Sequence, residues 1–310
     1  MTKVFIDGSA GTTGLRIRER LAERRDLELI RLPEAQRKDT EARRDALNRA
    51  DAAFLCLPDA AAREAVSLIE NDHTAVIDTS TAHRVAPGWV YGFPELKGLR
   101  AEISRSKRIA NPGCHASGFL ALVTPLVERG LLPAESLVSC FSLTGYSGGG
   151  KSMIADYEAP ERDSLLDAPR QYGISQSHKH LPEMQKVSGL LNAPLFSPIV
   201  APFYAGMEVT VPLHGSQLNG SMDDIKDVYA DYYQTGLVHF VPEADEGGFL
   251  SAGAFAGRDD LQVTVCGNPE RILLISRFDN LGKGASGAAI QNLNLLLGVS
   301  ETLGLSFVKM

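Results

Sequence analysis

An α/β fold in two parts, a Rossmann-type dinucleotide-binding domain on a parallel sheet and a second α+β domain with a largely antiparallel sheet, is predicted by three observations. The first 110 residues alternate short, almost wholly apolar segments with amphipathic ones, the pattern of a parallel sheet covered on both faces. The first apolar segment runs straight into Gly8-Ser9-Ala10-Gly11-Thr12-Thr13-Gly14, a glycine turn that opens a helix. Four apolar runs between residues 200 and 278 read as strands, and two of them, 207–213 and 261–266, visibly alternate, as antiparallel strands with one covered face do.

Taken in order, Val4-Phe5-Ile6 reads as a buried strand, and Leu15, Ile17, Leu21 and Ala22 carry the helix after the glycine turn. The spacing is GxxGxxG rather than GxGxxG. At the head of the first strand-helix unit it suits a pyrophosphate held by the helix's first N–H groups, with the Thr12 and Thr13 hydroxyls as added donors. Strand 27–32, helix 40–50, strand 52–57, helix 60–69 and strand 75–78 follow. Ligands of such a sheet lie at the carboxyl ends of its strands, which places Cys56-Leu57-Pro58 and Thr79-Ser80-Thr81 beside the cofactor, Cys56 as packing. A 2′-phosphate calls for cations at the end of the second strand, whereas a 2′-hydroxyl calls for an acid. Arg31, Arg37 and Lys38 flank that end and Glu34 is the nearby acid, so the balance favours NADP, against solvated charges on a mixed-sign surface.

Asn111-Pro112-Gly113-Cys114-His115 sets a cysteine just past a Pro-Gly turn, and Phe119, Leu120, Leu122, Val123, Leu126 and Val127 recur after it at helical spacing. Cys114 is therefore expected in a helix's first turn, facing unpaired N–H groups that favour a thiolate. Pro125 is expected to kink or end this helix. Strand 136–143 leads into Thr144-Gly145-Tyr146-Ser147-Gly148-Gly149-Gly150-Lys151, read as a loop. It serves either as an anion cradle, with Ser147 and Lys151 as donors, or as a mobile linker. Gln176-Ser177-His178-Lys179-His180-Leu181-Pro182-Glu183-Met184 gathers two of the seven histidines with a carboxylate. One histidine can take the thiol proton while Glu183 orients it. In an extended segment His178 and His180 share a face, and the sequence leaves open which reaches the sulfur. No third ligand accompanies HxH, so no metal site is expected.

Runs 200–203, 207–213, 261–266 and 272–278 read as strands and 222–233 as a helix. They suggest a sheet that also mediates dimerisation. Cys140 and Cys266 fall within strands as core residues. Asp279-Asn280-Leu281-Gly282-Lys283-Gly284-Ala285-Ser286-Gly287 opens a last helix through Ile290, Leu293, Leu296 and Leu297, expected to return to the first domain. The loop before it then lies over the cofactor, with Asn280, Lys283 and Gly284 as contacts. The domains are drawn at 1–112 with 282–310, and at 113–281.

The bulk figures narrow the partners. A 310-residue chain, 44% hydrophobic and 22% charged, supports two cores. A net charge of −7 argues against nucleic acid or an acidic membrane, which leaves small-molecule chemistry. Four dispersed cysteines without a CxxC pair suggest neither a disulfide framework nor a zinc knuckle, but reduced thiols in the cytoplasm. Neither a signal peptide nor an apolar run of ~18 residues is read, so no membrane partner is expected.

Together GSAGTTG, DTSTAHR at 78–84, YGFPEL at 91–96, NPGCH, SGGGK, HKHLPEM and DNLGKGASGAAIQNLN resemble the N-acetyl-γ-glutamyl-phosphate reductases, in their shorter form, within the semialdehyde dehydrogenase superfamily. The likeness spans nearly the whole chain. It implies NADP-dependent reduction of N-acetyl-γ-glutamyl phosphate to the semialdehyde and phosphate in arginine biosynthesis. It also implies an NADP-binding domain, an α+β domain bearing the active site, and a homo-oligomer, dimer or tetramer. By that resemblance Cys114 is the nucleophile that forms a thioester, and the HxH segment supplies the acid/base, His180 first, giving a proton as the hemithioacetal collapses. Asn111, Arg84 and Lys151 become candidate substrate contacts, the two cations for the phosphate or γ-acyl end. DTSTAHR departs from the DLSADFR of longer relatives. Rival readings are aspartate-semialdehyde dehydrogenase, a reductase of carrier-linked acyl phosphates, and an NADP-binding sensor without turnover.

Overall fold

The computed structural model describes residues 1–9 and 11–308, and they divide into two compact units. The first comprises Met1–Pro112 and Ala285–Leu305. Its strands are β1 (Thr2–Asp7), β2 (Leu27–Ile30), β3 (Ala52–Leu55), β4 (Ala75–Asp78), β5 (Val90–Tyr91) and β6 (Arg108–Ala110). They form one sheet in the order β2-β1-β3-β4-β6-β5, and every described pairing is parallel. Because successive strand residues face opposite ways, Val4 and Ile6 enter one core and Phe5 the other. The first core is closed by α1 (Thr12–Ala22) through Ile17 and Leu21, and by α9 (Gly287–Leu296) through Ile290 and Leu293. The second is closed by α2 (Thr40–Arg49) and α3 (Asp59–Ser67), through Ala46, Leu47, Ala62 and Ala65. Helices on both faces explain the near-continuous apolar strands. A short α4 (Leu99–Ile103) completes the unit.

The second unit comprises Gly113–Gly284 with the chain from Ser306. Its strands are β7 (Ser139–Gly145), β8 (Arg170–Gln171), β9 (Leu195–Ala201), β10 (Met207–His214), β11 (Val238–Phe240), β12 (Leu261–Asn268) and β13 (Arg271–Phe278). They form a mixed sheet in the order β11-β12-β13-β10-β7-β9-β8, antiparallel except at β7–β9 and β11–β12. Its helices are α5 (Cys114–Glu128), α6 (Gly150–Glu158), α7 (Leu181–Ser188) and α8 (Met222–Tyr232). The buried α5 lies so close to the sheet that a Cβ on Gly118 would come within 2.5 Å of Val209 and 2.8 Å of Phe278.

Three sequence expectations are corrected here. Pro125 does not end α5, which continues to Glu128. A proline deprives the carbonyl four residues back of its N–H partner, here Ala121, and the Tyr233 hydroxyl donates to that oxygen at 2.6 Å. The glycine run is not a loop: residues 146–149 form a 3-10 turn that enters α6, with Gly150 at φ +75° supplying the left-handed step. Nor is the HxH segment extended. It is a turn that ends with His180 as the N-cap of α7, and Pro182 within the first turn fits a helix start.

Candidate active site

Gly113 is the N-cap of α5 and carries no side chain to cap it, which places Cys114 at the head of the helix's first turn. The turn is held from outside. The Glu183 carboxylate, 1% exposed on α7, accepts from the Gly113 N–H at 3.2 Å, and its other oxygen lies 4.0 Å from His180 Nε2. One buried carboxylate therefore joins the cysteine's turn to a histidine. Cys114 itself is half-buried and packs against the bare Cα of Gly284, where a Cβ would stand 2.9 Å from the Cys114 Cβ.

Four further rings crowd this point. His115 is buried, with Nδ1 at 2.6 Å from Ser142 Oγ and Nε2 at 2.5 Å from the Tyr172 hydroxyl. The His178 and His180 rings stand 5.6 and 5.5 Å from it, centroid to centroid, and 4.7 Å from each other at right angles. Phe196 sets its edge against both His115 and His178. Burial, reinforced by His178 and Lys179, lowers the His115 imidazole to about 3, so it is neutral at any physiological pH. Burial first, and then the charge of Cys114, raise the Tyr172 phenol, which stays protonated. The His180 backbone N–H donates to His178 Nδ1 at 3.2 Å, which makes the neutral His178 an Nε2–H tautomer.

Ser147 and Asn280 are tied to each other. The Asn280 amide donates to Ser147 Oγ at 3.0 Å and accepts from the Gly206 N–H at 2.9 Å. The pair thus locks the chain after β13 to the turn before α6, where the sequence suggested substrate and nicotinamide contacts. Lys283 is completely buried beside Gly284, and Lys151 is exposed on the first turn of α6. His115, Ser142, Tyr172 and Phe196 were not singled out from sequence. His115 carried the one available signal, adjacency to Cys114.

In the first unit, Gly8 sits at φ +84°, and a Cβ there would fall 2.2 Å from the Cys56 carbonyl oxygen. Gly14 packs as tightly, 2.6 Å from the Gly8 carbonyl oxygen, whereas Gly11 would meet only that same oxygen at 3.7 Å. Two glycines are thus required by packing and the third leaves the helix start open. Thr12 Oγ1 is buried there without a hydrogen-bond partner among the described residues, as expected of a group meant for a ligand. Thr13 is half-buried in the same turn, and Ala10 lies outside the described residues. A cleft of about 990 Å³ adjoins, lined by Gly8, Ser9, Arg31, Arg37, Lys38 and Leu57 among others. Also on its wall is Arg43, which pairs at 3.0 Å with Asp7, a carboxyl that burial raises above its ordinary value. Glycines, an orphaned hydroxyl and a cationic cleft fit a dinucleotide carrying a 2′-phosphate.

Pro58, the N-cap of α3, is exposed, and burial pushes the Cys56 thiol up to about 12, which leaves it inert. The Ser80 hydroxyl donates to Asp78 at 2.7 Å. Asp78 also holds His83 Nδ1 at 2.6 Å, and the His83 ring stacks on Trp89. Arg84 donates to the Asn111 and Thr79 carbonyls, and the Asn111 amide bonds Ala285 and Asn292. Ser80, Arg84 and Asn111 thus spend these groups on fastening the strand ends. Among the described residues, no group of three His, Cys, Asp or Glu side chains could hold a metal.

Comparison with known proteins gives this geometry a family. Residues 3–105 match the model described as "Semialdehyde dehydrogenase, NAD binding domain", and residues 114–280 the one described as "Semialdehyde dehydrogenase, dimerisation domain". The chain belongs to the semialdehyde dehydrogenase family. Similar relatives include "N-acetyl-gamma-glutamyl-phosphate reductase 2" of Nostoc sp., 47% identical over 98% of this chain and 99% of that one. Another is the N-acetyl-gamma-glutamyl-phosphate reductase of Brucella ovis, 48% identical over 96% and 99%. Solved structures of the same fold include aspartate semialdehyde dehydrogenase II of Vibrio cholerae, complexed with ASA (TM-score 0.72, 18% identity, 96% and 98% covered). The aspartate semialdehyde dehydrogenase of Candida albicans, solved with NADP, is also similar (TM-score 0.64, 14% identity, 96% and 99% covered).

Proposed function

We propose that the chain reduces N-acetyl-γ-glutamyl phosphate to N-acetylglutamate 5-semialdehyde and phosphate with NADPH, through a thioester on Cys114. The resemblance sets this step in arginine biosynthesis. One observation carries the mechanism: Cys114 heads α5 while Glu183 links its turn to His180. The names of relatives at 47 and 48% identity support the substrate.

His180 takes the thiol proton, and the first amides of α5 hold the thiolate. Sulfur attacks the acyl carbon, the C–O bond to phosphate breaks, and the imidazolium returns its proton to the departing oxygen. The nicotinamide, when bound, supplies a hydride to the acyl carbon. His180 bonds the carbonyl oxygen as it gains charge; then C=O re-forms, C–S breaks, and sulfur leaves as thiolate with the aldehyde free. Glu183 steadies the imidazolium while it holds the thiol proton, and His178 is the alternative acid/base.

Gly8, Ser9, Ala10, Gly11, Thr12, Thr13 and Gly14 hold the pyrophosphate in this reading. Arg37 and Lys38 hold the 2′-phosphate, Leu57 borders the cofactor, and Lys283 and Gly284 shape the nicotinamide end. Arg84 and Lys151 are the cations nearest in kind to what a phosphate needs. Ser80, Asn111, Ser147 and Asn280 position the strands and turns that carry these groups.

The match to a dimerisation domain supports a homo-oligomer, a dimer or tetramer. No described helix is long and apolar enough to cross a membrane, and all four cysteines are thiols; work in the cytoplasm on a small molecule is part of this reading. The test is the reverse reaction, NADPH formed from N-acetylglutamate 5-semialdehyde and NADP⁺. Turnover should require phosphate, and aspartate semialdehyde should be at least about tenfold poorer in kcat/KM. Preference for aspartate semialdehyde would overturn the substrate, and NADP⁺ binding without turnover would leave the sensor reading.

A further inference from the structure

Gln176, the first residue of the histidine segment, holds a backbone state that side chains rarely enter. Among the described residues it is the one non-glycine with a positive φ, +55°, and such a state persists only where the surroundings enforce it. Here the enforcing contact is explicit. Its Nε2 donates to the Phe196 carbonyl oxygen at 2.7 Å and its Oε1 accepts from the Phe196 N–H at 2.9 Å. One side-chain amide thus pairs with both backbone groups of a single residue, 20 positions on.

The sheet shows why those two groups need a partner. β8 pairs with β9 through Arg170 opposite Val200 and Gln171 opposite Ile199, and the Tyr172 N–H still reaches the Pro198 oxygen at 3.0 Å. The chain then turns away at Gly173, φ +61°. Phe196 lies two residues before Pro198, so its N–H and C=O point to the same edge, one that β8 no longer reaches. The Gln176 side chain stands in for the missing strand. The same clamp seats the histidines. The Phe196 ring sets its edge against His115 and His178, and His178 in turn accepts from the His180 N–H and from the Leu181 N–H that opens α7. Within the turn, the Gln176 N–H donates to the Gly173 oxygen at 3.0 Å. A Cβ on Gly173 would meet Pro198 at 3.2 Å and His178 at 3.8 Å, so the whole turn is pressed onto β9.

We propose that Gln176 is a positioning residue for the reaction at Cys114: by clamping the turn 173–180 to β9 at Phe196, it holds His178 and His180 in place against the His115 ring. It touches no substrate and acts only through the histidines.

The inference rests on the proposed role of those histidines, so its test has one readout that needs no substrate. Gln176→Gly, Gln176→Asn and Gln176→Glu are prepared as full chains and checked for folding by NADP⁺ binding. Gly and Asn both accept the left-handed backbone, but Gly has no amide and that of Asn stops one carbon short, so they remove the clamp without adding strain. Glu keeps the length; its protonated carboxyl can make both bonds, whereas its carboxylate cannot donate to the Phe196 oxygen. The first readout is modification of His180, 5% exposed, by diethyl pyrocarbonate, followed on its peptide. The second is kcat and KM of the reductase from pH 5 to 8. Gln176→Gly and Gln176→Asn should each speed His180 modification about tenfold, the net worth of one to two hydrogen bonds in a local opening. They should lower kcat at least about fivefold with KM within about twofold and NADP⁺ affinity unchanged, since misplaced acid/base groups slow the chemical step. The kcat of Gln176→Glu, relative to wild type at each pH, should rise as pH falls. Wild-type kcat in Gln176→Gly and Gln176→Asn, or a loss carried by KM or NADP⁺ affinity, would overturn the proposal. So would unchanged His180 modification. If Gln176→Gly fails to fold, Gln176→Asn and Gln176→Glu decide it by the same criteria. Normal turnover in the variants sinks this inference and leaves the function standing. Faster His180 modification in variants of a chain without reductase activity does the reverse.

Discussion

Replacing Glu183 by Gln tests the join between the cysteine turn and the histidine. The substitution keeps the size but removes the charge and turns one acceptor oxygen into an NH2 donor, at a site 1% exposed. Two interactions change. With the single amide oxygen turned to His180, the Gly113 N–H loses the acceptor it has at 3.2 Å, a loss of about 1–3 kcal/mol in folding stability. The imidazolium loses a counter-charge 4.0 Å from Nε2, worth about 4 kcal/mol at an effective dielectric of ~20. The amide dipole, turned with its oxygen to His180, returns about half of that. About 2 kcal/mol then remains on the barrier, or roughly 30-fold in kcat, with KM little changed because Glu183 makes no substrate contact in this account. Steady-state kinetics with urea unfolding on the same preparation separates the two effects. A folded Glu183→Gln enzyme with kcat within about twofold of wild type would refute the pairing of Glu183 with a protonated His180.

Three other outcomes follow from named contacts. Acid should destabilise the fold partly through His115: its folded value is lowered to about 3, so the unfolded chain takes up a proton below about 6.5 that the native state refuses. The sign is a stability present above that pH and lost as pH falls toward 3, at about 1.4 kcal/mol per pH unit. His115→Phe should flatten the dependence of unfolding free energy between pH 6 and 4; an unchanged slope would contradict the buried neutral imidazole. Gly8→Ala would force a Cβ to 2.2 Å from the Cys56 carbonyl oxygen at φ +84°. It should cost about 2–3 kcal/mol by thermal unfolding and weaken NADP⁺ binding by calorimetry. Tyr233→Phe should cost about 1–3 kcal/mol of stability, because it leaves the Ala121 carbonyl in α5 without a donor, while leaving kcat/KM near wild type.

Much of the first unit was legible because its signals are local. Apolar strands such as residues 75–78 and the turn ending at Gly14 declare themselves within a few residues, and β4 occupies the residues read for it. Cys114 was readable for the same reason: a Pro-Gly turn and a helical stripe adjoin it. Elements of two or three residues, β5, β6, β8 and β11, are shorter than any period that could reveal them. The start of α6 was hidden by glycines whose low helix propensity is overridden by their tertiary setting, and α5 outlasted Pro125 because a tyrosine more than a hundred residues away supplies the missing donor. The site's remaining parts are long-range in the same sense. His115 meets Ser142 27 residues on and Tyr172 57 residues on, and no spacing rule links them. Asn280 reads as a ligand contact by its place in a glycine-rich motif; its bonds to Ser147 and Gly206, 133 and 74 residues away in the chain, carry no sequence signal.

The central claim is that the acyl group passes through the Cys114 sulfur, and the most direct test is to look for it there. The enzyme is mixed with N-acetyl-γ-glutamyl phosphate without NADPH, quenched in acid within a turnover, and digested for mass spectrometry. The account predicts the mass of one N-acetylglutamyl group on the Cys114 peptide, release of one equivalent of phosphate, and loss of the adduct when NADPH is added before the quench. Phosphate released only with NADPH present, or reductase activity surviving in Cys114→Ala, would contradict it.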